Sequence, residues 1–296
     1  MVYIRKNQKN LTKAEKQAFV NAVLELKRRG KYDRFVRTHI EYFVGDGDQG
    51  LRVAHMAPSF LPWHRRFLLD FERELRAVNP RVTVPYWDWT RDTSPSSSLW
   101  AEDFMGGSGR SEDLQVMTGP FAYRHGHWKI ETSVTEDPFL TRDLGNALGN
   151  ALGRGNHLDL PPRDDLDRAL ADSVYDVVPW NSLSPTGFRN KMEGWTDGAG
   201  TDKLRTHNRV HRWIGGTMIG GGAVNDPVFW LHHAFVDLIW SRWQTRHPKS
   251  GYRPDRPPGS DDPQHGRVAA LKERMPPWNT TPAELLDHRK IYKYAD

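Results

Sequence analysis

Several histidines of this chain lie inside its most apolar segments, and that placement restricts the folds it can adopt. His64 lies in SFLPWHRRFLLDFE, and His232 and His233 lie together in DPVFWLHHAFVD. A polar ring inside a core is costly unless it is hydrogen-bonded or binds a ligand. One such histidine is more often a hydrogen-bonded core residue than a metal ligand. Several in one chain favour a fold that gathers them around a common site.

Apolar residues at helical spacing predict a mainly helical chain. In segment 12–29, Thr12 and Glu15 are placed for a capping box, and Gly30 is placed to end the helix. Further helices are predicted over 31–43, from Pro62 to Asn79, and over 162–172, 187–195, 203–214 and 226–246. The aromatic segment VTVPYWDW is predicted to be extended and buried. Few other strands are expected.

The chain has no segment of the kind that links two domains, so we expect a single domain over residues 1–296. Residues 90–160 are predicted to be rich in loops. The short tandem LGNALGNALGRGN at 144–156 is predicted to be a surface insertion. The tail from residue 247 is rich in proline and polar residues and is expected to wrap around the surface.

Composition excludes several classes of protein. The net charge is +5, but basic residues are interspersed with acidic ones, which argues against nucleic-acid binding. No segment approaches the ~20 apolar residues of a membrane helix. The N-terminus MVYIRKNQKNLTKAEK has no apolar core, so we expect no signal peptide in this chain. Residence in the cytoplasm and export together with a partner both stay open.

The chain has 13 histidines and no cysteine, so any transition-metal site must use imidazole, carboxylate or methionine. His207 and His211 are four residues apart, which places both rings on one face of a predicted helix. That pair alone could be two surface histidines. Together with His233 it forms one set of three, and an earlier set lies at His39, His55 and His64.

Two sets of three imidazoles without thiolate suit Zn, Cu, Fe or Ni. Three-histidine zinc sites are usually single, and di-iron sites use Glu with Glu-x-x-His, a pattern missing beside these histidines. The residues therefore favour a copper pair, in which two cuprous ions can each give one electron to dioxygen. Asp237 follows His233 by four residues, and we expect its carboxylate to orient that ring.

The spacing H-x15-H-x8-H followed by H-x3-H-x21-H resembles the type 3 copper proteins. The segments SFLPWHRRFLLDFE, PYWDW, HNRVH and NDPVFWLHHAFVD resemble those of bacterial tyrosinases, particularly of Streptomyces. The resemblance implies a four-helix bundle around a binuclear copper site, with long loops and few short strands. It implies that the first copper is bound by His39, His55 and His64, and the second by His207, His211 and His233.

The resemblance also assigns roles to neighbouring residues. His232 would support the site without being a ligand, and Phe229 would pack beside a ligand ring. The remaining histidines match no ligand position and are expected at the surface: 125, 127, 157, 247, 265 and 288.

Two polar residues are the candidate catalytic groups. In the family, the residues that match Glu193 and Asn208 are thought to hold a water that helps to deprotonate the phenol. Ionising a phenol of pKa near 10 at pH 7 costs about 4 kcal/mol, so a positioned base or copper ligation must offset that cost. As alternatives, Glu193 could be a helix-capping or surface charge, and Asn208 a polar residue on a helix surface.

The chain also departs from the Streptomyces pattern. Ile40 replaces the asparagine usual after the first ligand, and Gly215–Gly222 is unusually rich in glycine, which favours local mobility and affects substrate entry. These departures bear on substrate choice. The N-terminal segment and HIEYF resemble o-aminophenol oxidases, so phenolic and o-aminophenolic substrates are both expected.

Three further hypotheses come from the resemblance. The same six-histidine site could serve a haemocyanin-like oxygen carrier, although the chain is too short to add a domain that blocks phenols. A copper-storing protein with an unreactive site is the other alternative. Family members of this group use a small accessory (caddie) protein that delivers copper and carries the export signal, so such a partner is expected here.

Overall fold

The computed structural model describes residues 2–125, 127–146, 157–196 and 205–295. Over this part of the chain it confirms the prediction of a mainly helical fold with few short strands. The helices are α1 (Lys13–Arg28), α2 (Tyr32–Tyr42), α3 (Phe60–Val78), α4 (Arg163–Ala171), α5 (Phe188–Glu193), α6 (Thr206–Ile214) and α7 (Val228–Arg246). The two strands are β1 (Tyr3–Arg5) and β2 (Tyr292–Tyr294). Most of the tandem at 144–156 lies outside the described residues.

The local signals at α1 are confirmed. The Thr12 backbone N–H donates to the Glu15 carboxylate at 2.9 Å, and the Glu15 N–H donates to Thr12 Oγ1 at 3.2 Å, which completes the capping box. Gly30 follows the helix with φ of +66°, a conformation that a residue with a side chain adopts only at a cost. The chain can therefore turn at once from α1 into α2.

Helices α2, α3, α6 and α7 form the bundle around the candidate site. Between α2 and α3, the rings of Phe35 and Phe67 lie 5.6 Å apart. Between α3 and α7, Phe71 stacks on Trp230 at 3.8 Å, and both rings are buried. Burying one large apolar side chain contributes about 1.5–3 kcal/mol, so these contacts hold the helices in register. α7 is buried around nearly its whole circumference, as its apolar sequence predicts.

The segment VTVPYWDW is buried and non-helical, as predicted, but it joins no sheet. Trp87 and Trp89 are fully buried, and Tyr86 makes an isolated bridge to Asn7. None of the helices in the described ranges is long and apolar enough to cross a membrane.

The two ends of the described chain meet in a parallel pair of strands that the sequence did not predict. Tyr3 pairs with Tyr292, and Arg5 with Tyr294. Behind the strands, Arg5 forms an ion pair with Glu72 of α3 at 2.8 Å. This pairing connects the chain ends to the bundle and supports the single domain over residues 1–296, which stays a prediction.

Candidate metal centre

The structure brings the predicted histidines together in two groups. Within each group, one ring nitrogen per residue lies within 4.8 Å of the others. The first group is His39 from α2, His64 from α3 and His55 from the loop between them. The second group is His207 and His211 from α6 with His232 and His233 from α7. The fold thus brings together histidines that follow one another with up to 21 residues between them in the sequence, and it gathers them into two compact clusters.

The two groups are in direct contact. The rings of His64 and His233 stack at 4.2 Å with an angle of 12° between their planes. The rings of His55 and His207 lie 6.4 Å apart. All six predicted ligands therefore surround one small volume, as a pair of neighbouring metal ions requires.

Backbone carbonyls orient three of the rings in the same way. The Nδ1 atoms of His39 and His211 lie 2.7 Å from the carbonyl oxygens of Gly221 and Met218. His64 Nδ1 lies 2.9 Å from the carbonyl oxygen of Phe60. A carbonyl can only accept, so each Nδ1 carries the proton and each Nε2 keeps a free lone pair. An outer hydrogen bond of this kind is typical of histidines that bind metals.

His207 is held by the two candidate catalytic residues. Its Nδ1 lies 3.2 Å from the backbone carbonyl of Glu193 and 3.1 Å from Oδ1 of Asn208. Glu193 ends α5 and Asn208 lies in α6, so two helices fix one ring. Both residues therefore also orient His207, a role that their sequence positions do not predict.

The inner ring nitrogens have no hydrogen-bond partner. Among the described residues, the Nε2 atoms of His39, His64, His207, His211 and His233 are buried and unpaired. Nδ1 of His55 is also unpaired. Buried polar atoms are rarely left without a partner, and each lost hydrogen bond costs about 1–3 kcal/mol. The donor set fits transition-metal ions, which would supply the missing bonds.

Burial keeps the rings neutral. It lowers the pKa of His39 and of His211 to about 4, and in each case a hydrogen bond to a carbonyl opposes the shift. Burial also lowers the pKa of His55, His64 and His233 well below the usual value, and neighbouring histidines add to the effect. A neutral imidazole is the form that binds a metal, so the site is prepared for ions near neutral pH.

His232 and Phe229 occupy the surroundings of the second group. A His232 ring nitrogen lies within the same 4.8 Å distance as those of its neighbours, so its exclusion from the ligands rests on the resemblance. The Phe229 ring lies 4.1 Å from His233 and 5.0 Å from His39, as predicted for an aromatic residue beside a ligand ring.

The prediction that Asp237 orients His233 is wrong. The Asp237 carboxylate accepts hydrogen bonds from Arg65 at 2.6 Å and from the hydroxyls of Tyr292 and Tyr294 at 2.5 Å. It belongs to an ionic cluster behind the strands, formed by Arg5, Arg65, Glu72 and Asp237, and does not face the His233 ring one turn earlier. The four-residue spacing along the helix would allow a contact with His233. The Asp237 carboxylate binds Arg5 and Arg65 instead, because charged guanidinium groups stabilise it more than a neutral ring does.

One expectation for the other histidines also fails. His288 is buried and not at the surface: its Nε2 lies 2.8 Å from Ser241 Oγ, and its ring stacks on Tyr292. His127, His157 and His265 are exposed, as predicted, and His247 is half-buried. The side chain of His125 lies outside what the structure describes.

The glycine-rich segment, Gly215–Gly222, packs closely against neighbouring residues beside the histidines. A Cβ atom on Gly216 would lie 2.2 Å from the carbonyl oxygen of Thr141, and one on Gly221 would lie 3.3 Å from Cβ of Phe43. Two 3-10 turns, Gly216–Met218 and Gly221–Asn225, carry the carbonyls that orient His211 and His39. Glycine therefore lets these carbonyls reach the rings.

A cavity of about 570 Å³ opens onto the histidines. Its walls are mostly apolar, with Phe43, Met56, Trp195 and Ile219 beside the rings of the centre. Asn208, Arg212 and Gly220 complete the wall between them. The volume suits a small aromatic molecule. Ile219 and Gly220 place part of the glycine-rich segment in the wall of this cavity, and its effect on substrate entry stays a prediction.

Glu193 is buried beneath this cavity. Its carboxylate accepts the backbone N–H of Met56 at 2.6 Å and Arg189 Nη1 at 3.0 Å, so it is neither a helix cap nor a surface charge. Burial raises the pKa of Glu193, although Arg189 opposes the shift. Met56 has φ of +50°, and the sequence around His55 gives no sign of that strained conformation.

Known proteins match this arrangement. The family described as the common central domain of tyrosinase matches residues 29–246. The chain is 52% identical to a tyrosinase of Streptomyces antibioticus over 98% of each chain, and 45% identical to grixazone synthase of Streptomyces griseus subsp. griseus over 99% of each.

Solved structures share the fold. A polyphenol oxidase mutant from Thermothelomyces thermophila matches with a TM-score of 0.69 at 22% identity, covering all of this chain and 89% of that one. A functional unit of octopus hemocyanin matches with a TM-score of 0.60 at 20% identity, covering all of this chain and 68% of that one. The family implies a binuclear copper centre, which both histidine groups fit. This chain belongs to the tyrosinase family.

Proposed function

We propose that this chain is a binuclear copper enzyme that uses dioxygen to oxidise phenols. Its substrates are o-diphenols and o-aminophenols, which become quinones and quinone imines, and it also hydroxylates monophenols. Membership of the tyrosinase family supports the class of reaction. The observation that carries the proposal is the set of unpaired ring nitrogens at the base of a cavity that admits a phenol.

His39, His55 and His64 would hold the first copper ion, and His207, His211 and His233 the second. Bound copper supplies one-electron redox chemistry toward dioxygen, which zinc, having no accessible second oxidation state, lacks. The chain's own contribution is orientation: Gly221, Met218 and Phe60 fix three rings through their carbonyls.

The cavity walls position the organic substrate. Apolar side chains of Phe43, Trp195 and Ile219 line the path to the histidines and displace water from a bound ring. A phenol held between them would present its hydroxyl to the histidines, four of which line the same cavity.

Glu193 and Asn208 are proposed to assist removal of the phenolic proton. Asn208 uses Oδ1 to hold His207, and its Nδ2 has no partner among the described residues, so it can hold a water or a substrate oxygen. The raised pKa of the buried Glu193 suits a group that takes up a proton. Its carboxylate reaches the cavity wall through Met56.

Glu193→Gln tests this role, because glutamine keeps the size of the side chain and loses the base. We expect turnover of a monophenol to fall about 100-fold and turnover of catechol to fall far less, because a catechol ionises more readily. Copper content and thermal stability serve as controls for the altered contact with Arg189. Equal losses on both substrates at full copper content would refute the role of Glu193 as a base.

A substrate panel tests the reaction class. The copper-loaded enzyme is given tyrosine, catechol and o-aminophenol separately, and oxygen uptake is measured. We expect uptake with all three. Uptake with catechol and o-aminophenol alone would restrict the enzyme to oxidase action. No uptake with any of them would overturn the proposal.

The cavity favours catalysis over reversible oxygen carriage, since a carrier must keep phenols away from its centre. The similarity to hemocyanin, at 20% identity, concerns the fold. A stable oxygenated form that leaves all phenols unchanged would favour the carrier instead. A reduced, copper-loaded protein that does not react with dioxygen would favour copper storage.

We also propose that an accessory protein delivers the copper. Support comes from the resemblance to Streptomyces tyrosinases and from the burial of the ring nitrogens, which restricts direct access of hydrated ions. Expression of this chain alone should yield mostly metal-free protein, measured by metal analysis. About two copper ions per chain without any partner would contradict this proposal.

A further inference from the structure

A pair of tryptophans leads from the first histidine group to the protein surface. The Trp63 ring lies 5.0 Å from the ring of His64 and 6.4 Å from that of His39. On its other side, the Trp63 ring lies 5.2 Å from the ring of Trp278, which belongs to the tail. Trp63 is fully buried, whereas Trp278 is half-buried and reaches solvent. Neither indole lines the cavity, so the chemistry described so far uses neither of them.

The two indole N–H groups have partners of different chemistry. Trp63 Nε1 donates to the carbonyl oxygen of Pro276 at 2.9 Å, and Trp278 Nε1 donates to the Asp70 carboxylate at 2.6 Å. An indole that has lost one electron is a much stronger acid than a neutral indole. A carboxylate can take the proton of such an indole, whereas a backbone carbonyl can accept the hydrogen bond only. Loss of an electron is therefore easier to sustain at Trp278 than at Trp63.

The charges around Trp278 strengthen this difference. The Arg66 guanidinium lies 5.5 Å from the centre of the Trp278 ring and forms an ion pair with Asp70 at 2.7 Å. A fixed cation at this distance opposes positive charge on the ring. Oxidation of Trp278 should therefore be accompanied by transfer of its Nε1 proton to Asp70, which leaves a neutral indolyl radical.

From this placement we propose that Trp63 and Trp278 carry oxidising equivalents from the copper centre to the protein surface when no phenol is bound. One electron passes from Trp278 through Trp63 to the centre, which is thereby reduced by one electron, and the Nε1 proton of Trp278 passes to Asp70. A small soluble reductant such as ascorbate then returns an electron to Trp278, and the proton returns to Nε1. The inference rests on the proposed function, because it needs a centre that holds copper.

The path protects the rings that bind the metal. The ring-to-ring distances along it are those of aromatic side chains in contact, so the electron crosses no gap wider than a packing contact. Without the path, an oxidised centre that meets no phenol can oxidise only the groups next to it, among them His39 and His64. The function of the two tryptophans is therefore survival of the enzyme and not turnover of the phenol.

Radical detection tests the path. Copper-loaded protein without phenol is treated with hydrogen peroxide, frozen and examined by electron paramagnetic resonance. We expect a neutral indolyl radical in the wild type and its loss in Trp278→Phe, because phenylalanine keeps an aromatic ring but is much harder to oxidise. Asp70→Asn should also lose the neutral radical, although asparagine can still accept the hydrogen bond. Trp180→Phe is the matched control, since Trp180 is also half-buried but lies in the loop between α4 and α5.

Peptide mass spectrometry after the same treatment measures the protection. Oxidation of His39 and His64 should rise in Trp278→Phe and in Trp63→Phe, and added ascorbate should lower it in the wild type only. Trp128→Phe controls for repacking of the core after Trp63→Phe. Trp128 is also fully buried and also donates to a backbone carbonyl, that of Asn225 at 3.0 Å. Equal histidine oxidation in the wild type and in Trp278→Phe would overturn the protective role.

The outcomes separate this inference from the proposed function. Initial rates of catechol oxidation should be unchanged in Trp278→Phe. If catechol is oxidised, but the wild type forms no radical or Trp278→Phe forms the same one, the path is overturned and the oxidase proposal stands. A radical that depends on Trp278, in a protein that oxidises no phenol, would do the reverse. A tyrosyl radical that disappears in Tyr42→Phe, whose ring lies 6.1 Å from Trp63, would assign the exit to α2 and overturn the role of Trp278.

Discussion

His233 and Asp237 lie one turn apart on α7, and both are buried, but Asp237 is fully hydrogen-bonded by the protein and His233 is not. The Asp237 carboxylate accepts hydrogen bonds from Arg5, Arg65 and two tyrosines. Both ring nitrogens of His233 have no partner in the described part of the chain. The protein satisfies the charge of Asp237 with its own side chains, whereas it leaves the ring nitrogens of His233 available to a ligand.

The two clusters also differ in how their charges are balanced. Around Asp237, burial alone would raise the pKa, but Arg65 and Arg5 outweigh it and lower the pKa to about 2. Around His233, burial and neighbouring rings both lower the pKa. The ionic cluster is therefore stable as charged groups, and the histidine cluster only as neutral ones. The contrast can be tested cluster by cluster.

The largest expected effect comes from removing one ligand. His207→Gln should lower the copper content from about two ions to about one per chain and reduce phenol oxidation at least ~1000-fold, because both ions act as a unit. The metal-free variant should be less stable than metal-free wild type by only about 1–3 kcal/mol, because it loses the Nδ1 contacts of His207 with the Glu193 carbonyl and Asn208 Oδ1, whereas Nε2 has no partner to lose. His265→Gln, an exposed histidine, is the control. Full copper content in His207→Gln would remove His207 from the ligand set.

Lowering the pH should destabilise the histidine cluster first and the ionic cluster only at lower pH. In the metal-free protein, His39 and His211 have pKa values of about 4 against 6.5 in the unfolded chain. Below pH 6.5 the unfolded chain binds protons that the folded chain does not, so stability should fall by several kcal/mol between pH 6.5 and about 4. The pKa of Asp237 adds a second loss, below about pH 4 and toward pH 2.

Thermal unfolding of the metal-free protein across this range measures both losses. Copper should delay the first one, because bound imidazoles must stay neutral. A stability that stays constant from pH 7 to pH 4.5 in metal-free protein would contradict the neutral state of the histidine cluster.

Breaking the ionic cluster should destabilise the fold without removing copper. Asp237→Asn removes the negative charge that pairs with Arg65 and Arg5 in the protein interior. Removing one partner of a buried ion pair costs about 3–5 kcal/mol of stability. The control is Asp255→Asn, because Asp255 pairs with Arg253 at the surface, where solvent screens the pair, so this substitution should leave the stability nearly unchanged. Denaturant unfolding gives the difference. Loss of copper at a temperature where Asp237→Asn is folded would mean that the two clusters are coupled.

The difference between the clusters also explains what could be predicted from the sequence. The histidine groups were predictable, because a metal site needs particular residue types at spacings that the helices bring onto one side. The partners of Asp237 were not, because Arg5 and Tyr294 lie 232 and 57 residues away in three-residue strands too short to leave a periodic pattern. The assignment of Asp237 to His233 failed for that reason.

The carbonyls that orient the rings were also invisible in the sequence. Every residue has a carbonyl, so Gly221, Met218 and Phe60 carry no chemical signal. Only the glycines hinted at close approach, and they were interpreted as a source of mobility and a feature of substrate entry. Glu193 and Asn208 were identified as a pair, but the sequence could not show that both contact His207, because the contact joins the end of α5 to α6.

Asn208 has one polar atom that is hydrogen-bonded and one that is not. Of the substitutions proposed for the two clusters, its replacement should have the smallest effect. Oδ1 is satisfied by His207, whereas Nδ2 is unpaired among the described residues. Asn208→Ala should weaken binding of the second copper about 10- to 100-fold, because His207 loses an oriented acceptor and keeps only the Glu193 carbonyl. Asn208→Asp should restore most of that affinity, since its carboxylate also accepts from Nδ1. Competition with a chelator of known affinity gives the copper affinity directly. If both variants bind copper as tightly as wild type, the Glu193 carbonyl alone orients His207, and Asn208 acts only toward the substrate.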